Sequence, residues 1–454
     1  MGHRRRQLEG LVSLDTPIRK PAEIRADIMA LVAEYHAAAH AKPSFDPTRS
    51  PAPVNGRVYG ASDMCALVDS ALDFWLTTGR FNAAFQQRLA ERVGVRYALT
   101  ANSGSSANLL ALFALTSPLL GERRLKPGDE VITAAAGFPT TVNPSLLAGL
   151  TPVFVDIDLA TYNLTAEAVE AAITPKTRAI MAAHTLGNPF EVEKIAKLAK
   201  AHDLFLVEDC CDALGTTVNG RHVGGFGDLA TLSFYPAHHI TMGEGGAVYT
   251  QDPILRRAAE AFRDWGRDCY CAPGQDNTCN RRFGWTLGDL PPGYDHKFTY
   301  SHLGFNLKIT DMQAAVGLAQ LDHLEAFIAA RKQNFARLSQ GLESLSDRII
   351  LPKAAPGSDP SWFGFLMTVR DGAGLSRDAI VQHLNAKRIG TRLLFGGNLA
   401  RQPYMLDRPF RVAGPLIQSD KVMRDSFWIG LYPGLDAAAI DYMVDTLTTY
   451  CASA

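Results

Sequence analysis

Between residues 97 and 250 the chain alternates short apolar runs with longer amphipathic stretches, and few folds accept that rhythm. The runs Tyr97–Thr100, Val131–Ala135, Val153–Asp156, Ala179–Ala183, Phe205–Asp209, Ala230–Phe234 and Ala247–Thr250 each have the length of a strand. Amphipathic segments such as Val192–His202 separate several of them. A strand buried on both faces reads as an unbroken apolar run, and the helices that cover it read as periodic ones. The alternation predicts an α/β fold, a mostly parallel sheet wrapped by helices. A mixed α+β layout is the alternative.

The flanks behave differently. Ile24, Ile28, Leu31, Val32 and Tyr35 follow helical spacing after Pro21 and predict an amphipathic helix over 22–40. Residues 41–60 are rich in Pro and Gly and read as an irregular connector. Residues 265–300 carry Cys, Gly, Pro, Asn, Arg and aromatics without periodicity, and a long irregular segment of that kind is usually functional or disordered. A long helix, straight or kinked, is predicted over 309–345. The expected division is an N-terminal arm and helix at 1–60, a large domain at 61–325 with a Cys-rich insertion at 265–300, and a small C-terminal domain at 326–454.

Composition excludes some partners. Lys and Arg number 45 against 46 Asp and Glu, for a net charge of −1, without the basic excess of a nucleic-acid protein. The most apolar stretch, Asn108–Leu120, is too short to span a membrane. His3-Arg4-Arg5-Arg6 is not followed by an apolar run, so no signal peptide is read and a cytoplasmic protein is expected. Residues 1–20 receive no role. The seven cysteines are an odd number, and in a reducing compartment clustered thiols point to metal or catalysis rather than disulfides.

Three segments carry candidate chemistry. Asn102-Ser103-Gly104-Ser105-Ser106-Ala107-Asn108 joins a strand to a helix, where free N–H groups and hydroxyls suit a phosphate; a plain Ser-capped helix start is the alternative. Leu206-Val207-Glu208-Asp209-Cys210-Cys211-Asp212-Ala213 runs from a strand into carboxylates, and an Asp there can keep a pyridine nitrogen protonated. Cys211, Cys269, Cys271 and Cys279 form a C-x57-C-x-C-x7-C pattern. Four thiolates suit a [2Fe–2S] cluster, while zinc and unrelated thiols stay open on spacing alone.

The third segment, Ser233-Phe234-Tyr235-Pro236-Ala237-His238-His239-Ile240-Thr241-Met242-Gly243-Glu244-Gly245-Gly246, resembles the cofactor-lysine run of the DegT/DnrJ/EryC1/StrS sugar aminotransferases. Gly304-Phe305-Asn306-Leu307-Lys308-Ile309-Thr310-Asp311 and Ala136-Gly137-Phe138-Pro139-Thr140 are similar to two further signatures of that family. The resemblance covers roughly 20–450. It implies the type I fold of pyridoxal-phosphate enzymes (aspartate aminotransferase-like), with the cofactor in the large domain and the small domain closing over it. It also implies a homodimer. By the same resemblance Gly104, Ser105 and Ser233 bind cofactor phosphate, Phe138 stacks on the ring, Asp209 holds the pyridinium, and Asn306 reaches the partner's phosphate.

The chain departs from the aminotransferases where they carry Lys: His238 stands there. Imidazole cannot anchor the cofactor covalently but can act as a general base. That change resembles the nucleotide-sugar 3-dehydrases, which use pyridoxamine phosphate. The cysteine pattern resembles the iron–sulfur members of that branch. Together these imply C3 deoxygenation of a nucleotide-diphosphate 4-keto-6-deoxyhexose to a 3,6-dideoxy-4-ketosugar, with His238 as base. They imply a [2Fe–2S] cluster on Cys211, Cys269, Cys271 and Cys279, fed by a separate flavin-dependent or iron–sulfur NAD(P)H reductase. If the chain stays extended past Asp209, Cys211 lies about 7 Å away on the same face. Asp212, where aminotransferases often carry Gln or His, is left without a fixed role.

The alternatives are a cluster-free dehydratase recycled by glutamate, an aminotransferase with a relocated lysine such as Lys308, and a non-catalytic relative. Arg392 or Arg401 are candidates to clamp a substrate diphosphate, with His296, Lys297 and Tyr300 behind them. A CDP-sugar for a surface polysaccharide (lipopolysaccharide O-antigen) comes first and a TDP-sugar second.

Overall fold

The computed structural model describes residues 19–41 and 43–453, so the basic run near the N-terminus lies outside the described residues. In chain order the strands are β1 (Tyr97–Ala101), β2 (Glu130–Ala134), β3 (Thr151–Val155), β4 (Thr177–Ala183), β5 (Phe205–Asp209), β6 (Thr217–Val218), β7 (Arg221–His222), β8 (Leu229–Ser233) and β9 (Gly246–Thr250). Then follow β10 (Ile349–Ile350), β11 (Ser358–Asp359), β12 (Gly364–Val369), β13 (Thr391–Arg392), β14 (Arg411–Val412) and β15 (Ser426–Gly430). Each of the seven apolar runs is a strand of one sheet, ordered β1-β9-β8-β5-β4-β2-β3-β14. From β8 to β14 the neighbours run parallel, and β9 is antiparallel to both β8 and β1. The mostly parallel α/β sheet expected from the alternation is the one observed.

The unbroken apolar runs are explained by two-sided burial. Along β5, Leu206 enters one hydrophobic cluster, with Phe85, Ile180 and Phe234, while Phe205 and Val207 enter the other, with Leu110, Met181 and Val248. Successive side chains point to opposite faces, so a strand covered on both sides needs apolar residues throughout. Parallel strands also place their C-terminal ends on one edge. Ala183, Asp209 and Ser233 end β4, β5 and β8 there, and open α/β sheets bind ligands beyond that edge.

A second, antiparallel sheet is ordered β10-β12-β15-β13. Phe365, Met367, Phe427 and Ile429 from its strands share a core with Ile440, Met443 and Leu447 of helix Ala437–Ser453. The β11-β6-β7 ribbon links this part to the first sheet.

Two helical expectations are adjusted. The long helix over 309–345 is broken: Asp311–Gln320 and Leu324–Gly341 are α-helical, joined by a 3-10 turn at Leu321–His323. Helix Pro21–Ala39 forms as expected but buries none of its side chains, and Leu31 and Tyr35 stay exposed. The segment 265–300 has only a 3-10 turn, His296–Phe298, as regular helix. Among the described residues no helix is long and apolar enough to cross a membrane.

Candidate active site

The ends of β4, β5 and β8 open on a cavity of about 370 Å³. Gly104, Ser105, Phe138, Asp209, Ser233 and His238 all line it, so residues from four separate motifs meet in one place. Among the described residues no lysine or arginine lines it.

Asp209, at the end of β5, is buried and tightly held. Its Oδ2 accepts from Asn108 Nδ2 (2.8 Å) and Thr141 Oγ1 (2.7 Å), and its Oδ1 accepts from the Cys211 N–H (3.1 Å). Asn108 is fixed in turn, its Oδ1 accepting from Thr231 Oγ1 at 2.6 Å. A buried carboxylate needs such partners, and these leave Oδ1 with acceptor capacity to spare. The neighbouring Glu208 points to the other face. It accepts the N–H groups of Gly224, Phe226 and Gly227 and pairs with His184 Nε2 at 3.1 Å. His184, stacked on Phe190, forms part of the cavity wall.

Opposite Asp209, helix Gly104–Ala114 begins at the cavity. Ser103 caps it by accepting from the Ser106 N–H at 3.0 Å. A Cβ on Gly104 would lie 2.8 Å from Ser233 Oγ and closer still to Ser233 Cβ, so only glycine lets the two segments meet. The result is a concave end with free N–H groups and the hydroxyls of Ser103, Ser105 and Ser233, which suits an anion. Phe138, about half exposed, closes another wall and meets Phe395 edge-on at 5.6 Å.

His238 follows β8 in a turn closed by its own N–H, which donates to the Tyr235 carbonyl at 2.9 Å. Its ring lies 5.2 Å from that of Phe363. Nδ1 is 3.4 Å from Asp212 Oδ1, an ion-pair separation, but is too poorly aligned for a hydrogen bond and has no other partner. The two histidines take opposite roles. His239 Nε2 meets the Ser361 carbonyl at 2.8 Å, and burial depresses its pKa well below the usual histidine range, so it packs as a neutral ring. Burial raises the Asp212 carboxyl, and His238 beside it acts in the opposite direction.

The cysteines are not arranged as the spacing suggested. Cys211 lines the cavity, whereas Cys269, Cys271 and Cys279 do not. Cys271 pairs with Thr278 Oγ1 at 3.1 Å. Among the described residues, the one group of three potential ligands with mutually close donor atoms is His184, Glu208 and Cys210, and Glu208 there is committed to backbone N–H groups. The Cys210 N–H donates to the Thr231 carbonyl at 3.0 Å, one residue past the end of β5, and the chain turns only after Cys210, with the Ala213 N–H donating to the Cys210 carbonyl at 2.8 Å. Asp209 and Cys211 both line the cavity and Cys210 between them enters the core, the shared face expected of extended backbone at that point. Burial, and next the Asp209 carboxylate, push the Cys211 thiol well above its ordinary pKa.

Other candidates fall outside the cavity. Arg401 is exposed and forms a two-pronged pair with Asp420 (2.5 Å each), and the exposed Arg392 donates to the Thr391 carbonyl. Asn306 is exposed and accepts from Lys308 Nζ at 2.9 Å; Lys308 itself sits over the Trp265 ring at 3.4 Å, away from the cavity. His296 is buried against Asp268 and Trp285. Sequence reading missed Thr141, His184 and Phe363. Asn108 lay within reach, four residues after Gly104 and so on the same helix face. Phe363 belongs to a distant segment with no local signal, whereas Phe395 lies in the run 391–404 that resembles a sugar-pocket segment of the family.

Comparison with known proteins places this geometry. The model of the DegT/DnrJ/EryC1/StrS aminotransferase family matches residues 60–448. The chain is 58% identical over 421 residues to the lipopolysaccharide biosynthesis protein RfbH of Salmonella typhimurium, covering 93% of this chain and 96% of that one. It is 53% identical over 425 residues to the dTDP-4-dehydro-2,6-dideoxy-D-glucose 3-dehydratase of Saccharopolyspora spinosa, covering 94% and 92%. Among solved structures it matches a GDP-4-keto-6-deoxymannose-3-dehydratase with a trapped PLP–glutamate geminal diamine, with a TM-score of 0.78, 27% identity, and 87% and 99% of the two chains covered. These findings correct the identification with an iron–sulfur-dependent branch. The solved dehydratase holds PLP with glutamate, and among the described residues no three of the four thiols lie within 4.8 Å of one another.

Proposed function

The chain belongs to the DegT/DnrJ/EryC1/StrS aminotransferase family, and from that premise we propose that it is a nucleotide-sugar 3-dehydratase recycled by glutamate. The observation that carries this reading is His238 in a cavity that no lysine lines among the described residues. A site of this kind cannot tether the cofactor through an amine of the protein, yet it keeps a base where the tether would stand.

The residues present fit a pyridoxal-type cofactor. The Gly104 cradle, which a Cβ would fill, suits its phosphate, and the spare acceptor of Asp209 suits its ring nitrogen. When bound as the amine, that cofactor supplies a nitrogen that condenses with the C4 ketone of the sugar and a ring that takes up electrons. Asp209 would hold a proton on the ring nitrogen, Phe138 would cover the ring face, and Ser105 and Ser233 would hold the phosphate. His238 would move a proton from the carbon that bears the amine to the departing C3 hydroxyl, which leaves as water. Glutamate is the two-electron reductant in this reading. It ends as 2-oxoglutarate and ammonia while C3 of the sugar loses its oxygen, so neither a cluster nor a separate reductase is needed.

The same proposal takes the substrate as a nucleotide-linked 4-keto-6-deoxyhexose used in the cytoplasm for dideoxysugar synthesis. It includes a homodimer, supported by the exposed Tyr300 and Leu303 beside Asn306, which would reach the partner's phosphate. It also takes 61–325 as the cofactor domain and 326–454 as the part that closes over it. Phe363 and Phe395, both in the cavity wall, support that division.

The test is incubation with cofactor, glutamate and CDP-, dTDP- or GDP-linked 4-keto-6-deoxyhexose, with sugar products and 2-oxoglutarate both quantified. A 3-deoxy sugar formed in step with 2-oxoglutarate supports the reading. A 4-amino sugar in its place would make the chain an aminotransferase.

A further inference from the structure

We infer that Asp212 is the positioning residue that fixes the tautomer of His238, so that Nδ1 carries the resting proton and Nε2 does the proton transfer. The inference deepens the proposed function and rests on its reading of His238 as the base.

The geometry begins with an unsatisfied atom. His238 Nδ1 is buried and lacks a hydrogen-bond partner. Leaving such an atom unpaired is costly, so native structures almost always supply an acceptor or donor. Asp212 Oδ1, 3.4 Å away, is the carboxylate in reach, and both side chains are mostly buried. A small ring rotation turns that separation into a hydrogen bond, and catalytic pairs commonly tighten only once the site is filled.

The turn after β5 places Asp212 there. The Ala213 N–H donates to the Cys210 carbonyl, which reverses the chain and brings the carboxyl to the cavity wall. On the other side, the buried Arg331 of helix Leu324–Gly341 grips the backbone. Its Nη2 donates to the His238 carbonyl at 3.4 Å, and its Nη1 donates to the carbonyls of Trp362 (3.2 Å) and Phe363 (3.4 Å). His238 is thus held at its backbone by a guanidinium and along its ring by Phe363, and its Nδ1 faces a carboxylate 3.4 Å away. His239 cannot substitute, since its Nε2 is engaged with Ser361.

The consequence is directional. A neutral imidazole has one N–H and one lone pair, and the acceptor at one nitrogen decides where the proton rests. With Asp212 at Nδ1, the lone pair is on Nε2, which has no hydrogen-bond partner among the described residues. Replacing the carboxylate with a carboxamide offers Nδ1 an N–H donor and favours the opposite tautomer.

The experiment is nitrogen NMR of the histidine-labelled protein, with and without PLP, for the parent, Asp212→Asn and Asp212→Glu, with His238→Asn to assign the resonance. Thermal unfolding checks that each variant is folded. In the parent and Asp212→Glu, His238 should be protonated at Nδ1; in Asp212→Asn the proton should shift to Nε2. The kcat of Asp212→Asn should fall about 10²- to 10⁴-fold, the range of a lost or misdirected base, with KM for the nucleotide sugar within about threefold. An unchanged tautomer in Asp212→Asn overturns the inference, as does a raised KM at unchanged kcat, which would put Asp212 on the substrate instead. Full turnover by His238→Asn would instead remove the underlying reading of the base, a separate result.

Discussion

The floor of the cavity and the segment 265–300 are built by opposite rules. In the floor, regular elements aim each side chain: Asp209 ends β5, Ser233 ends β8, and Gly104 starts a helix. Backbone ladders and the helix start set those positions. In 265–300 the backbone is nearly free of regular structure, and side chains hold it instead. His296 pairs with Asp268 at 2.6 Å, Trp285 stacks on His296 at 4.5 Å, and Arg282 grips Asp295. Spacing along the chain is a ruler only where the backbone has a period. The periodic backbone brings Gly104, Ser105, Asp209 and Ser233 to one cavity, and Cys269, Cys271 and Cys279 are not brought there.

The largest effect should come from the floor. His238→Asn should lower kcat by about 10³-fold, within the 10²–10⁴ range of general-base loss, while the cofactor still binds, as read by its absorbance on the gel-filtered protein. Undiminished turnover would break the comparison at its strongest point.

Asp209→Ala should come next, because it removes the acceptor of Asn108 and Thr141 as well as the proposed partner of the ring nitrogen. Leaving buried donors unpaired costs about 1–3 kcal/mol. Cofactor affinity should fall at least tenfold in a titration, and the melting temperature should drop.

Gly104→Ala tests packing rather than charge. The added methyl meets Ser233, so the cradle must open or lose its shape. Overpacking costs about 1–3 kcal/mol, and the expected sign is weaker phosphate binding with little change in the apo fold. Inorganic phosphate competing against PLP would measure it.

The smallest effect should come from the other region. Cys269→Ser, Cys271→Ser and Cys279→Ser combined should change glutamate-dependent turnover by less than about threefold, since none of the three lines the cavity and serine can keep the contact of Cys271 with Thr278. A collapse of turnover would show that the irregular segment carries chemistry after all.

Legibility in the sequence followed the same division. The sheet was readable because strands such as β5 are apolar throughout, a direct imprint of burial on two faces. Asp209 was readable because an acid at the end of such a run marks the ligand edge, and His238 through the resemblance of its segment to the cofactor-lysine run of the family. The exposure of helix Pro21–Ala39 was not readable, since an apolar stripe shows that a face wants cover but not what provides it. The break at Leu321–His323 was hidden because the apolar spacing continues through it. Phe363 and Phe395 come to the cavity through tertiary packing, and Arg401 resembled a phosphate clamp only until Asp420 was seen to hold it.

The central claim is that a histidine stands where a tethering lysine would and that no lysine reaches the cofactor. The most direct measurement is borohydride treatment of the PLP-loaded protein followed by intact-mass spectrometry. The expected result is the unmodified chain mass, with all cofactor released on denaturation. A chain carrying one reduced, covalently attached cofactor would contradict it, and peptide mapping to Lys308 or another lysine would restore the aminotransferase reading.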